Sequence, residues 1–143
     1  MRPSDAAHAA SDLRVAIGQL VRRVRADGDV PLGQLAVLGL LDRDGPRTTS
    51  ELATAQVVRH QSMARTVAQL VALGLVGQEA DPSDGRKTQL SITEAGRARL
   101  EAERARRVDW LSDAITHELT ADELETLQRG TELFARLARD RGG

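Results

Sequence analysis

The fold is decided by residues 48–93, which run TTSELATAQVVRHQSMARTVAQLVALGLVGQEADPSDGRKTQLSIT. The stretch opens on a capping box, because the side chains of Thr48 and Glu51 are spaced so that each can accept a hydrogen bond from the other's backbone N–H. This pattern predicts the start of a short helix over about 50–55. The helix is predicted to be interrupted around Val57.

A second helix is predicted over about 60–73, directly after the interruption. Met63, Val67 and Leu70 recur at helical spacing and define its apolar face. Gly74 is the expected residue beyond its C-terminus, because glycine adopts a left-handed conformation at little cost. The two helices together form a predicted helix-turn-helix.

A two-stranded β-hairpin is predicted next, with strands at 75–79 and 88–92. Leu90 and Ile92 alternate with polar neighbours, as in a strand with one buried face. Between the strands, DPSDGRK at 81–87 is dense in turn-forming residues. Two helices followed by a hairpin with a charged tip is the order of a winged helix-turn-helix, whose second helix fits the DNA major groove.

Amphipathic helices are predicted on both sides of this unit. The first has an apolar stripe made of Leu13, Ala16, Ile17, Leu20, Val21 and Val24. Such helices need a partner, and the simplest is a second copy of the chain. We therefore predict a mainly α fold with a small β-hairpin, a winged helix-turn-helix flanked by N- and C-terminal dimerisation helices. The chain 1–143 is interpreted as one domain, with a DNA-binding lobe at about 31–93 and a helical dimerisation region at about 5–28 and 94–140.

The composition is that of a soluble globular protein. Of its 143 residues 41% are apolar and 29% are charged, and the absence of cysteine excludes disulfides, a thiolate zinc site and a catalytic thiol. No apolar run approaches the roughly 20 residues that span a bilayer. The N-terminus also lacks the apolar segment of a signal peptide. These features predict a cytoplasmic protein without membrane contact.

The charge distribution limits how nucleic acid could be bound. The net charge is −1, and residues 48–93 contain four basic residues, Arg59, Arg65, Arg86 and Lys87, against four acidic ones. Binding would therefore depend on a few placed side chains rather than on bulk charge. Trp110 and Phe134 are the two aromatic residues, which argues against a base-stacking platform for single strands. They are interpreted as dimer-core residues, with the lining of a ligand pocket as the alternative.

Residues 48–97 resemble the DNA-binding half of the MarR family of bacterial transcription regulators. The resemblance lies in ELA of the first helix, LVALGLV between the second helix and the hairpin, DPSDGRK at the tip, and ITEAGR in the next helix. The flanking helices fit the family's order, so the resemblance covers nearly the whole chain. It implies a homodimeric repressor that binds a pseudo-palindromic operator in double-stranded DNA and responds to a small aromatic or lipophilic effector.

The candidate DNA contacts of the second helix lie just before it and along its outward face. They are Arg59, His60, Gln61, Ser62, Arg65, Thr66 and Gln69. Arg65 can fork to a guanine edge or hold a phosphate, and Gln61 and Gln69 can pair with adenine edges. The alternative is that these are solvated residues on an outward helix face.

At the hairpin tip, or wing, Asp84 and Arg86 match the family's Asp-x-Arg motif. The resemblance implies that Arg86 reaches the minor groove, whose negative potential favours a guanidinium, while Asp84 helps to position the wing. Lys87 can add a phosphate contact. Many family members carry another arginine where this chain has Gly85, which removes one contact. An ordinary solvated turn is the alternative.

No motif for catalysis or metal binding accompanies these residues. A Gly-rich phosphate loop and a G-x-S-x-G elbow are absent, and the three histidines lie far apart in the sequence. We therefore expect no enzymatic activity, no cofactor and no metal. Arg104, Arg106 and Arg107 form the densest basic cluster after the hairpin and are expected to be a solvated face.

Two rival functions stay open at this level. The neutral balance of residues 48–93 and the presence of Gly85 would also suit a module for protein–protein interaction or for DNA binding without sequence preference. The third hypothesis is a small-molecule binding protein with no DNA function.

Overall fold

A computed structural model describes residues 1–26 and 28–139. The described chain divides into two compact units, one of residues 1–106 and one from Arg107 onwards. Residue 27 and residues 140–143 lie outside the described part, and with them two positions of the predicted dimerisation region, residue 27 and its end at residue 140. The elements are, in order, α1 (Pro3–Ala26), α2 (Leu32–Asp44), β1 (Arg47–Thr48), α3 (Thr49–Gln56), α4 (His60–Ala72), β2 (Val76–Ala80), β3 (Thr88–Ile92), α5 (Glu94–Glu118) and α6 (Ala121–Ala138).

Capping boxes fix the starts of α3 and α6. The Thr48 hydroxyl accepts from the Glu51 N–H at 3.2 Å, and the Glu51 carboxylate accepts from the Thr48 N–H at 3.3 Å. Thr120 and Glu123 form the same pair at 3.2 Å in both directions. Each box satisfies N–H groups that a helix start leaves without intrahelical partners.

The core of the first unit lies between α2, α3, α4 and the sheet. Its most deeply buried side chains are Leu38, Leu52, Leu70, Leu90 and Val37. The predicted apolar face of α4, which also includes Met63 and Val67, is buried as expected. Because that face is held inward by the core, the opposite face of α4 points outward.

The sheet has three strands, one more than the predicted hairpin. β2 and β3 pair antiparallel along all five residues of each strand, as predicted. β1 adds to the other side of β3, with Arg47 opposite Leu90 and Thr48 opposite Gln89, so the strand order is β1–β3–β2. Since β1 leads directly into α3, the helix-turn-helix is connected to the sheet that contains the hairpin.

The start of α5 is joined tightly to the end of α4. The Thr93 hydroxyl donates to the Gly74 carbonyl at 2.7 Å, and the Thr93 N–H donates to the Leu75 carbonyl at 3.1 Å. The Gly96 N–H closes the set by donating to the Thr93 hydroxyl at 3.0 Å. A Cβ at Gly96 would overlap the Leu75 carbonyl oxygen and would lie 2.8 Å from Cγ1 of Ile92. The LVALGLV and ITEAGR motifs therefore meet in one close contact.

The last turn of α1 is its anchor within the first unit. Val24 is the only buried residue of this helix, and Ile17 and Leu20 of the predicted stripe are exposed. The Val24 carbonyl accepts a hydrogen bond from Nη2 of Arg106 at 3.0 Å, and the same nitrogen lies 2.7 Å from Oε1 of the buried Glu103. The expectation of a solvated face is thus wrong for Arg106, because its guanidinium joins two helices.

The second unit consists of the C-terminal part of α5 and the whole of α6. None of the residues of α6 is buried. Its exposed apolar side chains are Leu124, Leu127, Leu133, Phe134 and Leu137. Two helices of this length cannot cover such a face by themselves, so it is available to another surface.

Candidate DNA-binding surface

The outward face of α4 carries the candidates for groove contact. Gln61, Arg65 and Gln69 are exposed and follow one another at intervals of four residues, opposite the buried face. His60 and Ser62, in the first turn, are exposed as well, and so is Arg59, which caps the helix with its backbone. The helix contains no acidic residue, so nothing on this face would repel a phosphate backbone.

Two of the seven candidates also have hydrogen-bond partners inside the protein. The half-buried Thr66 donates its hydroxyl to the Ser62 carbonyl at 3.2 Å. The Gln69 side-chain oxygen accepts from Nε2 of Gln34 on α2, also at 3.2 Å. The second contact joins residues 35 positions apart, and no pattern within either helix predicts it.

The turn between α3 and α4 has an unusual backbone. Val57 adopts φ +54° and ψ +47°, the left-handed conformation, in which a β-branched residue is a genuine outlier. Its N–H donates to the Thr54 carbonyl at 3.2 Å, and its side chain is exposed, with 90% of the residue accessible. Sequence reasoning placed the interruption here but found no sign of the strain.

The wing tip is organised by Asp81, a residue that the sequence analysis treated only as part of the turn. Its Oδ1 accepts from the Ser83 hydroxyl at 2.7 Å, from the Ser83 N–H at 2.8 Å and from the Asp84 N–H at 3.3 Å, while Gln89 donates to Oδ2 at 3.4 Å. These donors, the Ser83 hydroxyl first and the Ser83 N–H second, hold the pKa of the Asp81 carboxyl below its ordinary value, although partial burial acts in the opposite direction. The bonds close the loop into a defined turn.

Arg86 is presented at the end of this turn. Oδ1 of Asp84 accepts from the Arg86 backbone N–H at 3.1 Å and from its Nε at 3.3 Å. The Arg86 side chain nevertheless remains 94% exposed. Asp84 therefore holds the backbone N–H and Nε of Arg86, and the rest of the guanidinium extends into solvent. Lys87 and Gly85 are exposed beside it.

Other kinds of site find little support in the described residues. Within residues 1–26 and 28–139, no group of three or more histidine, aspartate or glutamate residues could hold a metal ion. In the same part of the chain, no helix combines the length and apolar character that crossing a membrane requires.

Comparison with known proteins identifies the family. A model described as the MarR family matches residues 28–87. Over 140 residues the chain is 34% identical to an uncharacterized HTH-type transcriptional regulator of Mycobacterium leprae, and 96% of each chain is covered. The chain belongs to the MarR family. The predictions of that family and of a DNA-binding transcription regulator are confirmed, and the family is one of regulators rather than enzymes.

Solved structures agree with this assignment. The crystal structure of a candidate transcriptional regulator from Pseudomonas aeruginosa PA01 has a TM-score of 0.84 at 33% identity, covering 99% of this chain and 100% of that one. A mutant MepR of Staphylococcus aureus, bound to an oligodeoxyribonucleotide, shares the fold with a TM-score of 0.66 at 19% identity, over 90% of this chain and 97% of that one. The predicted fold class, a winged helix-turn-helix within a mainly α chain, is confirmed.

Proposed function

We propose that this MarR-family regulator is a homodimeric repressor that binds a pseudo-palindromic operator by sequence. The observation that carries the proposal is the arrangement of two exposed elements in one unit. The outward face of α4 offers hydrogen-bonding side chains and Arg65 without any acidic residue, and the wing presents Arg86 almost fully exposed. α4 fits the width of a major groove, and the wing can then lie against the neighbouring minor groove.

The DNA contacts divide by chemistry. Gln61, Arg65 and Gln69 are proposed to meet base edges, since they are exposed in a line along the outward side of α4. Phosphates or the nearest base are proposed to be held by the residues around the helix start, Arg59, His60 and Ser62, and by Thr66 one turn further along α4. Arg86 is proposed to enter the minor groove with Asp84 as its support and Lys87 on a phosphate.

A second copy of the chain is the proposed partner of the apolar faces. α6 has five exposed large apolar side chains and α1 has three, Val15, Ile17 and Leu20. A two-fold dimer would bury such faces and place two copies of α4 about 34 Å apart, one turn of DNA. Bound there, the dimer would block access to a promoter.

Control by a small aromatic or lipophilic molecule is part of the same proposal and rests on membership of the family. Such an effector releases DNA only if it binds the non-binding arrangement of the dimer more tightly than the binding one. Cysteine is absent from the chain, so a thiol switch cannot serve this role. A repressor of chromosomal genes would work in the cytoplasm.

Selection from a random pool of duplexes tests the proposal. The purified protein is used to enrich bound DNA, and light scattering gives the mass of the complex. We expect an inverted-repeat motif bound by two chains. If no motif is enriched at low or moderate salt, the function is non-specific DNA binding, protein interaction or ligand binding instead.

Arg86→Ala tests the wing within that experiment. Loss of one phosphate-proximal cation should weaken binding and should lower the slope of log K against log salt by about one. Arg14→Ala, an exposed arginine of α1, makes the same change of charge away from the proposed surface and should leave the slope unchanged. Equal slopes for both variants and the native protein would remove the wing from the DNA contact.

A further inference from the structure

The hydrogen bond between α2 and α4 fixes the orientation of one amide on the proposed DNA-binding face. Gln34 is in the first turn of α2 and is 7% exposed. Its Nε2 donates to Oε1 of the exposed Gln69 at 3.2 Å. Gln34 is one of only two buried polar or charged residues in the described chain, the other being Glu103. The buried amide of Gln34 therefore has a defined partner on α4.

The direction of this bond decides what Gln69 can offer to DNA. A glutamine side chain has one oxygen that accepts and one NH₂ group that donates twice. The oxygen of Gln69 is turned inward to Gln34, so the NH₂ group is the end that faces away from the core. The adenine contact expected from the sequence needs both ends at once, and the inward bond works against it.

We propose that Gln34 is a positioning residue that makes Gln69 a donor-only contact for base edges. This inference rests on the proposed function, since it assumes that α4 enters the major groove. Donors match the acceptors of that groove, which are N7 and O6 of guanine, N7 of adenine and O4 of thymine. At the base that Gln69 meets, the regulator therefore disfavours cytosine, which presents only an amino donor.

Gln34→Glu should reverse the contact without altering Gln69 itself. An ionised carboxylate accepts hydrogen bonds and cannot donate, so Gln69 must rotate its amide and donate inward. Its oxygen then faces the groove, where it matches the amino groups of cytosine and adenine. Gln34→Met keeps a side chain of similar length but removes the hydrogen bond, which leaves the Gln69 amide free to rotate.

The experiment compares base preferences from pool selection with four variants. Gln69→Ala locates the base step that depends on Gln69, and Gln34→Glu and Gln34→Met are then scored at that step. Gln19→Glu on the exposed face of α1 is the control for the added negative charge. A preference is a ratio of affinities within one preparation, so it does not change if part of a variant is unfolded.

We expect the native protein to disfavour cytosine at that step by about two- to tenfold relative to the other three bases, the range of one hydrogen bond. Gln34→Glu should move the preference to cytosine or adenine, Gln34→Met should flatten it, and Gln19→Glu should leave it unchanged. The inference is overturned if both Gln34 variants keep the native preference, if Gln69→Ala alters no step, or if the native protein already prefers cytosine. A native protein that enriches no motif refutes the proposed function and this inference with it.

Discussion

Val57→Gly should stabilise the protein, because the strain at the turn of the helix-turn-helix belongs to the backbone. Val57 is the only non-glycine residue with positive φ in the described chain. The left-handed conformation costs an L-amino acid about 1–2 kcal/mol, and glycine avoids that cost. Against this, glycine loses about 0.5–1 kcal/mol more conformational entropy on folding. The valine side chain is 90% exposed, so its removal forfeits little apolar burial.

The net expectation is a gain of about 1 kcal/mol in the free energy of unfolding, or about 3 °C in Tm for a chain of this size. Urea unfolding measures it, with the midpoint shifted and the slope m unchanged. All proteins must be compared at one concentration, since the proposed dimer would make the apparent stability depend on it.

Two neighbouring variants separate backbone strain from other effects. Val57→Ala keeps the positive φ but removes the branched side chain, so it should gain less than Val57→Gly. Val58→Gly places the same residue at the next position, where φ is not positive, and should lower stability. If Val57→Gly is no more stable than the native protein, or if both glycine variants act alike, the strain argument is refuted.

Three further expectations concern glycines and the wing. Gly96→Ala should lower the free energy of unfolding by about 2 kcal/mol, because the added Cβ would overlap the Leu75 carbonyl. Gly39→Ala is the control: its Cβ meets open space on α2, so this variant should raise the free energy of unfolding by about 0.5–1 kcal/mol. Urea unfolding measures both, and equal midpoints for the two variants would contradict the close packing at Gly96. Gly85→Arg also meets open space and should raise the salt slope of DNA binding by about one; an unchanged slope would mean that the tip does not reach DNA. Since the folded pKa of Asp81 lies below its ordinary value of 3.8, its turn bonds are complete above that value and are lost only as the pH falls through the folded pKa. The NMR shift of the Ser83 amide should therefore titrate with a midpoint below 3.8 and should not do so in Asp81→Asn; a higher midpoint would contradict the turn's bonding.

Local signals predicted most of the fold. The capping box at Thr48 needs only residues three positions apart, and α3 begins where the box places it. Gly74 ends α4 in the left-handed conformation with φ +73°, as expected from its own chemistry. Such features depend on neighbours in the chain, which a sequence displays directly.

Features that depend on distant partners were missed. β1 has two residues, too few for any periodicity, and exists because Arg47 and Thr48 pair with β3 some forty positions later. The apolar stripe of α1 indicated a face that needs covering, but periodicity does not say by what, and within the chain only Val24 is buried. The bond from Gln34 to Gln69 joins two unremarkable glutamines on separate helices. The roles of the DNA-contact residues stay predictions, because exposure and charge show what a surface offers and not what binds to it.

The close joint between α4 and α5 has a mechanical consequence. The first turn of α5 is fixed against the end of α4, because the Thr93 hydrogen bonds hold it on one side and Gly96 leaves no room for a Cβ on the other. β1 links α3 to the same sheet as the wing, so the helix-turn-helix and the wing are connected at two points. A rotation of the start of α5 would therefore turn the proposed DNA-binding surface as a whole, and the angle between α4 and the wing would stay constant.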